Sequence, residues 1–174
     1  EALDSGIEAK DISWIRGTVY RSVNSGLKEG MTAAQFEAEQ FQDRDTAMLP
    51  TYQQLISEEA EIARKNYCTS FVLQYQNNDD ISGKRLVEKY DETVYVVQNP
   101  PQEPLSTEEL DDVYELPYEG TYHPSYEKDG GVPAIEEVKF SITANRGCFG
   151  GCSFCALTYH QGRAVRGRSR ASIV

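Results

Sequence analysis

Three of the four cysteines in this chain fall within eight residues, in the run Cys148-Phe149-Gly150-Gly151-Cys152-Ser153-Phe154-Cys155. No other feature limits the local fold so strongly, because three thiols leaving one short loop must be turned toward a common point to act together. Gly150 and Gly151 supply the tight turns and close backbone approach that such a loop needs. Three thiolates can hold a 4Fe-4S cubane by three corners, which leaves one iron without a protein ligand. An open coordination position is also what separates reactive metal sites from structural ones. The competing ligand set adds His160, five residues beyond Cys155, and gives a Cys3His zinc site in a binding module. A third reading keeps the cysteines for assembly only.

Charge divides the chain in two. Of 174 residues with net charge −11, residues 1–137 hold all 28 acids, whereas 138–174 hold six bases and no acid. The acidic part reads as a solvated surface. Arg166, Arg168 and Arg170 alternate in the basic part and read as surface, so no nucleic-acid partner is expected. No apolar run reaches the length of a membrane span, and no membrane partner is expected. Clustered cysteines in a long, otherwise cysteine-poor chain indicate metal ligation in a reducing cytoplasm rather than a disulfide framework.

Along the chain, Glu1 to Gly6 reads as the tail of a helix and Asp11 to Tyr20 as one strand, rich in β-branched and aromatic residues. Turn-rich Asn24-Ser25-Gly26 and Glu29-Gly30-Met31 lead into a polar stretch to Met48, read as loop or weak helix. Thr51 with Gln54 forms a capping box. A start near Ser57 then opens an amphipathic helix to about Gln76, on whose apolar stripe Cys68 lies as a small hydrophobe. Asn77 to Asp80 end it. Lys84–Lys89 and Thr93–Gln98 pair as a hairpin, and Asn99 to Pro104 make a stiff linker. Ser106 and Glu109 cap a helix reaching about Tyr114, and Tyr118 to Pro133 reads as irregular. His123 has no ligand-spaced neighbour and reads as structural.

With Cys-x3-Cys-x2-Cys and Phe154 just before the last cysteine, the chain resembles the radical S-adenosylmethionine (radical SAM) superfamily. VVQNPPQEPLSTEELDDVYELPY, YHPSYEKDGGVPAIEEVKFS and VKFSITANRGCFGGCSFCALTYHQGRAVRGRSRASIV together resemble its YgiQ-like subgroup, over most of Asp11 to Val174. The resemblance implies an α/β fold, with mixed helices and a hairpin leading into the first β/α unit of a radical SAM barrel. Val138–Thr143 would be the first barrel strand and Ala156 onward its helix. Residues 1–30 would be the remnant of a Rossmann-like N-terminal domain, 31–137 a linker region and 138–174 the start of the core. Both ends read as cuts, so this is taken as a fragment of a longer enzyme, itself inactive and lacking most of a SAM pocket. The resemblance further implies that Cys148, Cys152 and Cys155 ligate the cluster and that Phe154 packs near the adenine of SAM. It also implies a reductant such as flavodoxin or ferredoxin, and a substrate that the sequence does not name. Arg146, His160, Gln161 and Arg163 belong to the same pattern without an assigned role.

Overall fold

The computed structural model describes residues 4–23, 32–41 and 43–174. The chain folds as two compact units, Glu1–Glu103 and Pro104–Val174, dividing in the proline-rich linker. Three X-Pro restrictions within six residues, at Pro100, Pro101 and Pro104, keep that linker extended and outside any ladder or helix.

The first unit is built on a four-stranded sheet in the order β1-β4-β3-β2, from β1 (Val19–Val23), β2 (Thr46–Met48), β3 (Arg85–Lys89) and β4 (Val94–Gln98). The expected hairpin is β3–β4, antiparallel with Val87 opposite Val97. Asp91 makes its turn: the carboxylate accepts the Thr93 and Val94 amides, and these bonds hold its pKa below the ordinary value. β1 adds antiparallel to β4, and short β2 runs parallel to β3. One face of the sheet carries the core. Val87, Tyr95 and Val97 are buried there with Phe41, against Tyr20 and Phe36.

Helix α1 (Ala33–Phe41) brings the two phenylalanines to Tyr95, with ring centroids 5.7 and 5.2 Å away. The segment read as loop or weak helix therefore holds a nine-residue helix. Its start was legible: Thr32 and Gln35 exchange the reciprocal bonds of a capping box. The turns at 24–26 and 29–31 lie outside the described residues.

Asp11–Tyr20 is not one strand. A 3₁₀ turn occupies Ala9–Asp11, and pairing begins only at Val19. In between, Gly17 takes φ 72° and donates to Pro100 O, while Asn99 donates to the carbonyls of Ser13 and Ile15. A left-handed residue and a side chain that takes the carbonyls leave this stretch no ladder to join.

Thr51 and Gln54 cap α2 (Tyr52–Leu55) by the expected box, and α3 (Ala60–Gln76) follows and ends at Asn77. The stripe on α3 faces the other way from the expectation. Tyr67, Cys68, Phe71, Val72 and Tyr75 are exposed, whereas Ser70 is buried. Cys68 is a surface thiol, not a packed one.

In the second unit, Ser106 and Glu109 cap α4 (Thr107–Tyr114), which buries Leu110. The stretch from Tyr118 to Pro133 is irregular apart from a 3₁₀ segment at Pro124–Asp129. His123 caps that segment, accepting the Ser125 amide at its ring nitrogen, which is a structural use. Val138–Thr143 is not a strand: α5 covers Ile135–Val138 and no element follows until Asn145. A strand needs a partner for its backbone groups, and none among the described residues pairs with this segment. The fold class is mixed α/β, without a barrel in these residues.

Candidate functional site

The cysteine loop hangs between the two strands of a short ribbon. β5 (Asn145–Arg146) pairs antiparallel with β6 (Arg166–Gly167), Arg146 opposite Arg166. Just inside the ribbon, Gly147 sits at φ 88°, and a Cβ there would overlap the Ala164 carbonyl. Next to it, Cys148 N–H donates to Gly162 O at 3.0 Å. Glycine is thus needed at one end of the loop by the close contact at Gly147 and at the other by the left-handed backbone of Gly162, at φ 82°.

The ribbon is tied to α4 by its own side chains. Asp111 Oδ1 accepts the Ser169 amide at 2.9 Å, and Thr107 Oγ1 donates to Gly167 O at 3.1 Å. Arg168 lays its guanidinium 4.5 Å from the Tyr114 ring centroid and donates from Nη1 to Thr143 O and from Nε to Ser172 Oγ. Ser169 caps α7 (Arg170–Ile173). Bonds from Ser169, opposed by partial desolvation and aided by Ser172 and Arg168, hold the Asp111 carboxyl below its ordinary range. Of the three alternating arginines, Arg168 is a cross-link; Arg166 and Arg170 lie on the surface, as expected.

Within the loop, a Cβ placed on Gly150 would stand 3.2 Å from Cys148 Sγ and 3.7 Å from Cys152 Sγ. The two thiols therefore flank one point. Gly150 N–H also points at Cys148 Sγ, 3.4 Å away. Cys155 N–H donates to Cys152 O, closing the following turn. The third thiol is not gathered with the other two: among the described residues no three His, Cys, Asp or Glu groups stand close enough to hold a metal ion. Thiols have no attraction for one another, and a loop of this kind closes when the metal binds. All four cysteines are free. Thiolate donors, a space between two of them that a side chain would fill, and an amide aimed at sulfur together fit an iron–sulfur cluster.

Phe154 is 91% exposed, so its ring is not packed beneath the loop. Phe149 is similarly open. His160, in α6 (Leu157–Gln161), is exposed and is not part of any metal-holding group among the described residues. Arg146 is exposed on β5 and Arg163 is half-buried after Gly162. The sequence reading missed the separate duties of Gly147, Gly150 and Gly162, and the anchor to α4 that Asp111 makes with Ser169 and Arg168 makes with Tyr114. The only signal for the anchor was Ser169-x-x-Ser172 following a basic residue.

A family model described as Radical SAM N-terminal matches residues 1–141. The chain belongs to this family. It is a YgiQ-like member of the radical SAM superfamily, similar at 56% identity over 133 residues to a UPF0313 protein of Clostridium botulinum strain 657, covering 76% of this chain and 21% of the relative. A UPF0313 protein of Clostridium botulinum strain Okra is 47% identical over 97% of this chain and 23% of its own length. One from Clostridium perfringens strain ATCC 13124 is 45% identical over 99% of this chain and 23% of its own length. No solved structure matches. The chain spans little more than a fifth of the length of the curated relatives it matches. The Radical SAM N-terminal match stops at residue 141, short of Cys148, whereas the two longer alignments run through the cysteine loop.

Proposed function

We propose that this chain is part of a radical SAM enzyme in which Cys148, Cys152 and Cys155 ligate a 4Fe-4S cluster. The observation that carries the reading is the Cys-x3-Cys-x2-Cys loop in a chain of this family, with the Cys148 and Cys152 thiols flanking Gly150. When bound, the cluster supplies an open iron and one electron for reductive cleavage of SAM to methionine and a 5′-deoxyadenosyl radical.

This chain's residues contribute placement and field. The β5–β6 ribbon holds the ends of the loop, and Gly150 N–H donates toward one ligand sulfur. Residues 138–174 carry six bases and no acid, a charge balance that favours an anionic cluster and a carboxylate-bearing cofactor. Phe154 stands open beside the last ligand, where a flat ring can stack on adenine. The electron comes from a reductant such as flavodoxin or ferredoxin in a reducing cytoplasm. The zinc module is the weaker reading, because structural zinc cysteines come more often as two well-separated pairs than as a single three-cysteine run.

The test is product formation by the full-length parent, reconstituted anaerobically, reduced with dithionite and given SAM. It should release 5′-deoxyadenosine detectable by mass spectrometry. A parent with its cluster intact and reduced that releases none, with or without candidate substrates, leaves the cluster structural and ends the enzymatic reading.

A further inference from the structure

Gly150 lies between two of the three ligand cysteines, yet its backbone does not call for glycine. Its φ falls outside the left-handed region, so an L side chain fits there without backbone strain. Gly147 differs on both counts, with φ 88° and the Ala164 carbonyl against it. What a side chain at 150 meets is sulfur. Its Cβ would stand 3.2 Å from Cys148 Sγ, inside the roughly 3.5–4.0 Å of a relaxed carbon contact, and 3.7 Å from Cys152 Sγ. Cys148 Sγ would have to give by a few tenths of an ångström, which disturbs the bond it accepts from Gly150 N–H at 3.4 Å.

We infer that Gly150 is a positioning residue for the cluster: its missing side chain keeps the space between the Cys148 and Cys152 sulfurs open, and its amide holds the Cys148 sulfur in place. The inference rests on the cluster reading of the three cysteines and adds to it a residue that ligates nothing. Hydrogen bonds to ligand sulfurs tune both the affinity and the potential of such sites, because they stabilise the negative charge on sulfur. A glycine needed only for turning the loop would sit at positive φ, as Gly147 and Gly162 do.

The experiment compares wild type, Gly150→Ala and Ser153→Ala, an exposed residue of the same loop, after anaerobic reconstitution with iron and sulfide. Iron retention under chelator challenge, EPR midpoint potential, far-UV circular dichroism and thermal melting are the readouts. Gly150→Ala should melt as wild type does, yet hold iron about 10-fold or more less tightly, with a shifted potential in whatever cluster remains. Ser153→Ala should match wild type throughout. Wild-type retention and potential in Gly150→Ala would overturn this inference alone, as would early melting, which marks a role in folding. A wild type that takes up no iron overturns the cluster reading and this inference with it.

Discussion

At the level of single residues, the first unit concentrates its chemistry on Tyr95. Its ring is fully buried in the core, and its hydroxyl donates to Glu37 Oε1 at 2.8 Å. Lys89 Nζ reaches the same carboxylate at 3.3 Å and Glu92 at 3.6 Å. Burial, then the hydrogen bond and charge of Glu37, raise the Tyr95 phenol well above the ordinary value of 10.0. Partial burial works against Lys89, but Glu37 and Glu92 outweigh it and raise the ammonium as well. Both shifts are upward, so the stability they carry is complete below pH 10 and is lost as pH rises through the folded values. Denaturant melts between pH 8 and pH 11.5 should show wild type weakening above pH 10, with the loss blunted in Tyr95→Phe. That variant should also lose about 0.5–1.5 kcal/mol at neutral pH, the usual net worth of a hydrogen bond. A flat profile over that range in wild type would contradict this account of the triad.

Most secondary elements whose local chemistry closes on itself were legible, the Thr32/Gln35 box of α1 being the exception. The boxes at Thr51/Gln54 and Ser106/Glu109 and the Asp91 turn each satisfy backbone donors within a few residues, so their sequence spacing already contains the structure. Elements that depend on distant partners were not. Helix α3 has the right ends but the wrong face, because Tyr67, Phe71 and Tyr75 supply the periodicity while the small and polar Ala63, Asn66 and Ser70 turn inward. Periodicity marks a helix without saying which stripe a neighbour covers. Substitution tests this assignment of faces. Phe71→Ser, at a position 54% exposed, should shift stability by no more than about 0.5 kcal/mol. Leu110→Ala, at the buried position of α4, should cost about 2–5 kcal/mol by cavity formation. Urea midpoints read both, and equal costs would mean that the stripe on α3 is packed after all.

The whole chain joins a sheet-based unit to a unit that presents the cysteine loop, with the proline linker between them. The sequence located that loop from ligand spacing alone. It did not reveal that backbone contacts at Gly147 and Gly162 fix the ends of the loop, nor that Arg168 bonds to Thr143, because these contacts join residues far apart in the chain. The expected strand at Val138–Thr143 failed for the complementary reason: its alternating apolar residues Val138, Phe140 and Ile142 are exposed, with no partner strand among the described residues. Everything functional converges on whether the three clustered thiols act as one ligand set. The most direct measurement is iron and acid-labile sulfide per chain, with the EPR spectrum of the reduced state, in Cys148→Ala, Cys152→Ala, Cys155→Ala, Cys68→Ala and His160→Ala after identical anaerobic reconstitution. Each of the first three should lose the cubane signal, while Cys68→Ala and His160→Ala should keep wild-type iron and spectrum. A cubane that survives any one of the first three substitutions, or one tight zinc lost with His160→Ala, would contradict that ligand set.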